Sequence, residues 1–223
     1  MEKLIDFFKD VGKLKGIKRL GWILGGTKEK ETESIADHSY RLAVMVWVFG
    51  HDKKDLDVGK LLKMAMLHNF PVVNAGDITP YDDLVSKGEA TNERLSSWPR
   101  RSKKEKEKIA TRNRKKEIAA LKKLVRGLPN ELKTEVEELW HEYEYGTSAE
   151  GRFLKQVDRI EKLIQSIEYK EQNKYEPRID PYWQQLKELL DDPDLIKFVE
   201  SLDRYFYSSD KRVRIGNHKR PGG

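Results

Sequence analysis

Apolar residues recur at three- and four-residue intervals along almost the whole chain, and that spacing restricts it to packed helices. Leu4, Phe7, Phe8 and Val11 share one helical face, which Leu14 continues. Leu132, Val136, Leu139, Trp140 and Tyr143 form another stripe, with Glu135, Glu137, Glu138, Glu142 and Glu144 on the outer face. The longest expected helix opens at Ser148-Ala149-Glu150, ends near Tyr169, and buries Phe153, Val157, Ile160, Ile164 and Ile167. Every element reads as helix, so the fold class is all-α, and 223 residues suit one compact domain. That domain is expected over 1–207, with a basic insertion at about 81–112 and a flexible basic tail over 208–223.

Ser34-Ile35-Ala36-Asp37 reads as a helix start, with Ser34 as N-cap and Asp37 at the acidic third position of a capping box. The helix ends at Gly50, and Leu42 to Phe49 is apolar on every side, which predicts a central, buried helix. His38 lies in its first turn. A second imidazole, His68, stands near the end of an amphipathic helix expected from about Asp57 to Phe70, and Pro71 marks the stop. Gly76-Asp77-Ile78-Thr79-Pro80 follows as a turn carrying one carboxylate. Histidines at the ends of two core helices can face one another across a bundle as metal ligands do. The other reading of His68 is a histidine hydrogen-bonded in the core. Asp158 lies away from the centre of its apolar stripe, and periodicity alone makes it an exposed partner of Lys162.

Between Gly16 and Ser34 the adjacent glycines argue against any regular element. Arg19 and Trp22 stand out there, since a guanidinium beside an indole can clamp a phosphate and stack a base. A tryptophan plugging the edge of the core is the alternative. Arg112 to Val125 reads as a helix with Ile118, Leu121 and Val125 in a stripe and basic residues opposite.

The composition narrows the chemistry. Charged and hydrophobic residues each make up 37% of the chain, which suits helices with heavily charged outer faces. No cysteine is present, so disulfides and thiolate metal sites are excluded. No apolar run is long enough to span a membrane and the N-terminus lacks a cleavage pattern, so a cytoplasmic location is expected. The formal net charge of +6 favours an anionic partner or substrate. Its basic residues cluster in 100–116 and in the tail, where they either meet nucleic acid or form a solvated surface.

Taken together, Gly21-Trp22, Glu33-Ser34-Ile35-Ala36-Asp37-His38-Ser39, His68, Gly76-Asp77-Ile78-Thr79-Pro80, Ser148-Ala149-Glu150 and Lys155-Gln156-Val157-Asp158 resemble the HD-domain 5′-deoxynucleotidases. The resemblance covers most of the chain, from about Leu4 to Tyr169. It implies an orthogonal helical bundle around one divalent metal ion (Mn, Co, Mg or Zn), a homodimer, and removal of the 5′-phosphate from deoxynucleoside monophosphates. It also implies that His38, His68, Asn69 and Asp158 are the metal ligands. On the same basis Asp77 holds the attacking water or the leaving group, Arg19 contacts phosphate and Trp22 shapes the nucleoside pocket.

Two positions depart from the family pattern, which writes His-Asp followed three residues later by Glu. Here the stretch reads His68-Asn69-Phe70-Pro71-Val72. An amide brings no negative charge to a cation, and Val72 cannot transfer a proton. The departures leave open an alternative, a catalytically degenerate HD-domain protein that binds a nucleotide, nucleic acid or protein without turnover.

Overall fold

The computed structural model describes residues 1–79, 82–86, 88, 102–172, 186 and 189–209. Among them every regular element is helical, and the only extended pairing is a single bridge between Lys18 and Ser34. No helix among the described residues is long and apolar enough to cross a membrane.

Helix α1 (Glu2–Gly12) runs into a 3-10 turn at Lys13–Lys15. The segment between Gly16 and Ser34, expected to be irregular, contains a short helix, α2 (Leu20–Leu24), and a 3-10 turn at Glu29–Glu31. The glycines Gly25 and Gly26 end α2 instead of preventing it, and Gly26 takes the φ of 103° that reverses the chain. Backbone bonds from Arg19 N–H to the Glu33 carbonyl (3.1 Å) and from Ile35 N–H to the Ile17 carbonyl (2.8 Å) lash this loop to the start of the next helix.

Helix α3 (Ile35–Gly50) begins with the expected capping box. The Ser34 N–H donates to Asp37 Oδ2 (2.8 Å) and the Asp37 N–H to Ser34 Oγ (3.1 Å). Its place in the bundle differs from expectation. Leu42 and Val46 are fully buried, but Tyr40, Trp47 and Val48 are exposed, so α3 lies at the surface. An apolar surface does not say what covers it, and here nothing among the described residues does.

Helix α4 (Val58–Leu67) is capped by the Asp57 side chain and ends three residues before the expected Phe70. Pro71 then opens the one-turn helix α5 (Val72–Ala75), and α6 (Asp82–Ser86) follows. Helix α7 (Lys103–Val125) starts nine residues before the expected Arg112, on a capping box between Ser102 and Glu105. Much of the basic stretch 100–116 is therefore the front of a long helix. Residues 81, 87 and 89–101 of the expected insertion lie outside the described residues. Helix α8 (Asn130–Tyr145) follows, closed by Gly146 at φ 62°.

The centre of the bundle is α9 (Ala149–Glu171), not α3. Val157, Ile160 and Leu163 are fully buried, but so are Asp158, Glu161, Gln165 and Ser166 on other faces of the helix. Such polar burial is tolerated because each side chain finds a partner inside. Helix α10 (Pro193–Ser209) packs against α9 and includes Ser208 and Ser209, the first residues of the expected tail. Residues 210–223 lie outside the described set.

Candidate functional site

His38 and His68 do face one another, with ring centroids 5.4 Å apart. Each imidazole is oriented through its Nδ1. His38 Nδ1 lies 2.5 Å from Glu161 Oε2, and His68 Nδ1 lies 2.8 Å from the Ala65 carbonyl. A carbonyl accepts only, so His68 carries its proton on Nδ1 and presents a bare Nε2. The same logic at a carboxylate turns His38 Nε2 toward Asp158, whose Oδ1 stands 3.1 Å away.

That pair of atoms is the most informative feature of the site. His38 Nε2 and Asp158 Oδ1 are both buried, and neither makes a hydrogen bond despite their closeness. Buried polar atoms left in this state are costly unless something else satisfies them. With His68 they offer three ligand atoms, all within 4.8 Å of one another. Two imidazole nitrogens and a carboxylate oxygen form a donor set that suits a borderline divalent cation, so the residues present fit the group. Glu33, His38 and Glu161 make a second close grouping. That one is already neutralised, because Arg41 Nη2 sits 2.8 Å from Glu161 Oε1 and 4.0 Å from Glu33 Oε2.

The electrostatics are those of a crowded interior. Burial and the neighbouring His38 charge push the His68 pKa down to about 3. Burial and Arg19 also pull His38 down, but the carboxylates of Asp158 and Glu161, one on each ring nitrogen, outweigh them and raise it. Burial alone would neutralise Asp158. The Lys162 ammonium, donating to its Oδ2 at 2.6 Å, and the two histidines instead hold it well below the usual carboxylate range.

The remaining expected residues surround this cluster. Asn69 reaches it through its amide nitrogen, 2.8 Å from His68 Nε2 and 3.4 Å from Ser39 Oγ. In this orientation Asn69 donates to the lone pair a cation would use. A half-turn of the carboxamide would present its oxygen instead. Arg19, at the N-cap of α2, loses some basicity to burial but gains more from the charges of Asp77, Asp158, Glu33 and Glu161. Asp77 Oδ2 accepts the Leu20 N–H at 2.7 Å, tying its turn to the Arg19 loop. The Trp22 indole is only 4% exposed. It donates to Glu33 Oε1 at 2.8 Å and meets the Tyr169 ring edge-on, so it offers no open stacking face.

Sequence reasoning missed the second layer. Glu161 and Arg41 brace His38, with Arg41 also bonded to Glu168 Oε2 (2.6 Å) and Gln165 Oε1 (2.5 Å). Tyr143 packs edge-on against His68, and Trp140 Nε1 donates to the His68 carbonyl at 3.2 Å. The one available signal was Tyr143 and Trp140 falling on the same stripe of α8.

Comparison with known proteins bears on the chain as a whole. The family described as HD domain matches residues 11–191. A protein named 5′-deoxynucleotidase HDDC2 from Xenopus laevis is 32% identical over 201 residues, covering 90% of this chain and 86% of that one. Its human namesake is 29% identical over 200 residues, covering 90% of this chain and 84% of its own. Among solved structures, a predicted metal-dependent phosphohydrolase from Magnetospirillum magnetotacticum superposes with a TM-score of 0.61 at 20% identity, covering 93% of this chain and 95% of that one.

Proposed function

This chain belongs to the HD-domain family of 5′-deoxynucleotidases, and from that premise we propose that it releases the 5′-phosphate of deoxynucleoside monophosphates at the His38–His68–Asp158 cluster. The observation that carries the proposal is the facing pair of unsatisfied buried atoms, His38 Nε2 and Asp158 Oδ1, beside the His68 Nε2, which carries no proton and accepts from Asn69. His38, His68 and Asp158 would hold one divalent cation, with Asn69 joining them once its amide is turned. When bound, such a cation polarises a phosphoryl oxygen and lowers the pKa of water.

The chain's own residues do the rest. Arg19 keeps a full charge next to the cluster and binds the phosphate. Asp77, anchored through one oxygen by Leu20, uses the other to hold water or the departing oxygen. Glu161 and the Ala65 carbonyl hold each Nδ1 and so aim both Nε2 atoms into the shared space. Trp22 closes the back of the pocket and keeps water out. A homodimer and a cytoplasmic location belong to the same proposal, the first supported by the exposed apolar side chains of α3. A degenerate, purely binding protein is the less favoured reading, because the ligand triad, its orienting partners and the phosphate-binding arginine are all present.

The test is inorganic phosphate release from a panel of ribo- and deoxynucleoside 5′-monophosphates with Mn²⁺, Co²⁺, Mg²⁺ or Zn²⁺. Turnover that chelator and His68→Ala both abolish is the expected result. A folded protein that releases no phosphate with any of these ions would overturn it.

A further inference from the structure

Val72 stands where the family pattern has a proton-transferring carboxylate, and its side chain is committed elsewhere. It is 8% exposed and packs with Leu14 and Ile35 in a small apolar cluster that Ile17 and Phe70 border. The same short helix, α5, rests on α7, where the Asn74 amide donates to the Ala120 carbonyl at 3.2 Å. Glu117 precedes Ala120 by three residues, so it lies on the same face of α7 as that contact. It is half-buried, and among the described residues it has neither a hydrogen bond nor an ion pair of its own.

The charges that act on Glu117 are those of Glu144 on α8, of Arg114 on its own helix and of Asp77, whose turn after α5 is tied to the Arg19 loop. Arg114 Nε is already engaged with Glu144 Oε1 at 2.8 Å. Helix α1 meets α7 further along, where Lys3, Asp6 and Asp10 face Lys123 and Arg126.

Resting on the phosphohydrolase reading above, we propose that Glu117 is the proton-transferring carboxyl of this site and protonates the departing 5′-oxygen. Water oxygen bonds to phosphorus as the bond from phosphorus to the 5′-oxygen breaks, its electron pair leaving with that oxygen. Glu117 gives its proton to the oxygen, and the proton released by the attacking water restores the carboxyl through solvent. The balance is phosphate monoester plus water giving nucleoside plus hydrogen phosphate. Burial, with the charges of Glu144 and Asp77, lifts the Glu117 carboxyl to about 7 against the pull of Arg114. It is thus part protonated near neutrality, as an efficient acid must be.

The experiment compares wild type and Glu117→Gln on a deoxynucleoside 5′-monophosphate and on p-nitrophenyl phosphate, whose leaving group needs no proton. On the nucleotide kcat should fall about 10²-fold or more, with KM nearly unchanged. On p-nitrophenyl phosphate the loss should be small. The wild-type kcat should decline as pH rises through about 7, and the variant should lack that limb.

A second readout needs neither metal nor substrate. A folded pKa above that of a free carboxyl makes the native state hold its proton longer, so stability declines as pH rises from about 4.3 toward the folded value. The Tm of Glu117→Gln should therefore gain on wild type between pH 5 and 8. Equal losses on both substrates with the pH limb intact would overturn the assignment, as would a variant as active as wild type. A wild type inactive on both substrates would instead bring down the hydrolase reading, and the assignment with it.

Discussion

The Glu161 carboxylate faces two partners, His38 Nδ1 through one oxygen and the Arg41 guanidinium through the other. It therefore fixes the direction of the His38 lone pair without touching the shared space beyond it. Glu161→Gln should weaken divalent-cation affinity by about 10- to 100-fold, measured by calorimetry on the folded protein; unchanged affinity would remove Glu161 from that role. No spacing rule could have found this residue. Glu161 and Arg41 are 120 positions apart, and only the fold relates them. His38 and His68 were legible because imidazoles at the ends of two core helices are unusual, and the family resemblance then supplied Asp158. Periodicity alone put Asp158 at the surface beside Lys162. The Lys162 bond exists, yet Asp158 is 3% exposed, because the helix carrying it has no fully wet face and most of its buried polar groups meet partners on other elements.

At the scale of elements, the site depends on how closely α8 and α9 approach. Gly151 in the first turn of α9 lies against the Glu142 backbone, and a Cβ there would overlap the Glu142 carbonyl oxygen. Backbone at that point cannot yield as a flexible side chain would. Gly151→Ala should cost about 1–3 kcal/mol of stability, read as a lower Tm, and should loosen Tyr143 against His68. A variant as stable as wild type would show that the two helices are free to separate. Helix α3 teaches the converse lesson about elements. Its cap was legible to the residue, since Ser34 and Asp37 need only each other. Its depth was not, since a run apolar on every side fits a buried helix and an unpartnered one equally well. The short helix α2 was hidden by its glycines, which terminate it.

For the molecule as a whole, that exposed face departs from the usual surface of a monomer. Tyr40, Trp47 and Val48 are 75%, 57% and 63% exposed along one side of α3, and contiguous apolar surface of this kind marks association. Trp47→Glu should convert a dimer to a monomer in light scattering, and a monomeric wild type would sink the homodimer. The basic surface of 102–116 is less concentrated than its composition suggests. Glu105 and Glu107 interrupt it, and Arg114 is taken up by Glu144. One contact described above also has an optical consequence. The indole of Trp140 is hydrogen-bonded to the backbone of His68 inside the core, so its excited-state energy depends on where that peptide dipole points. A ligand that fills the space between the two histidines and moves that peptide should therefore shift the emission of Trp140, one residue's backbone away from the chemistry.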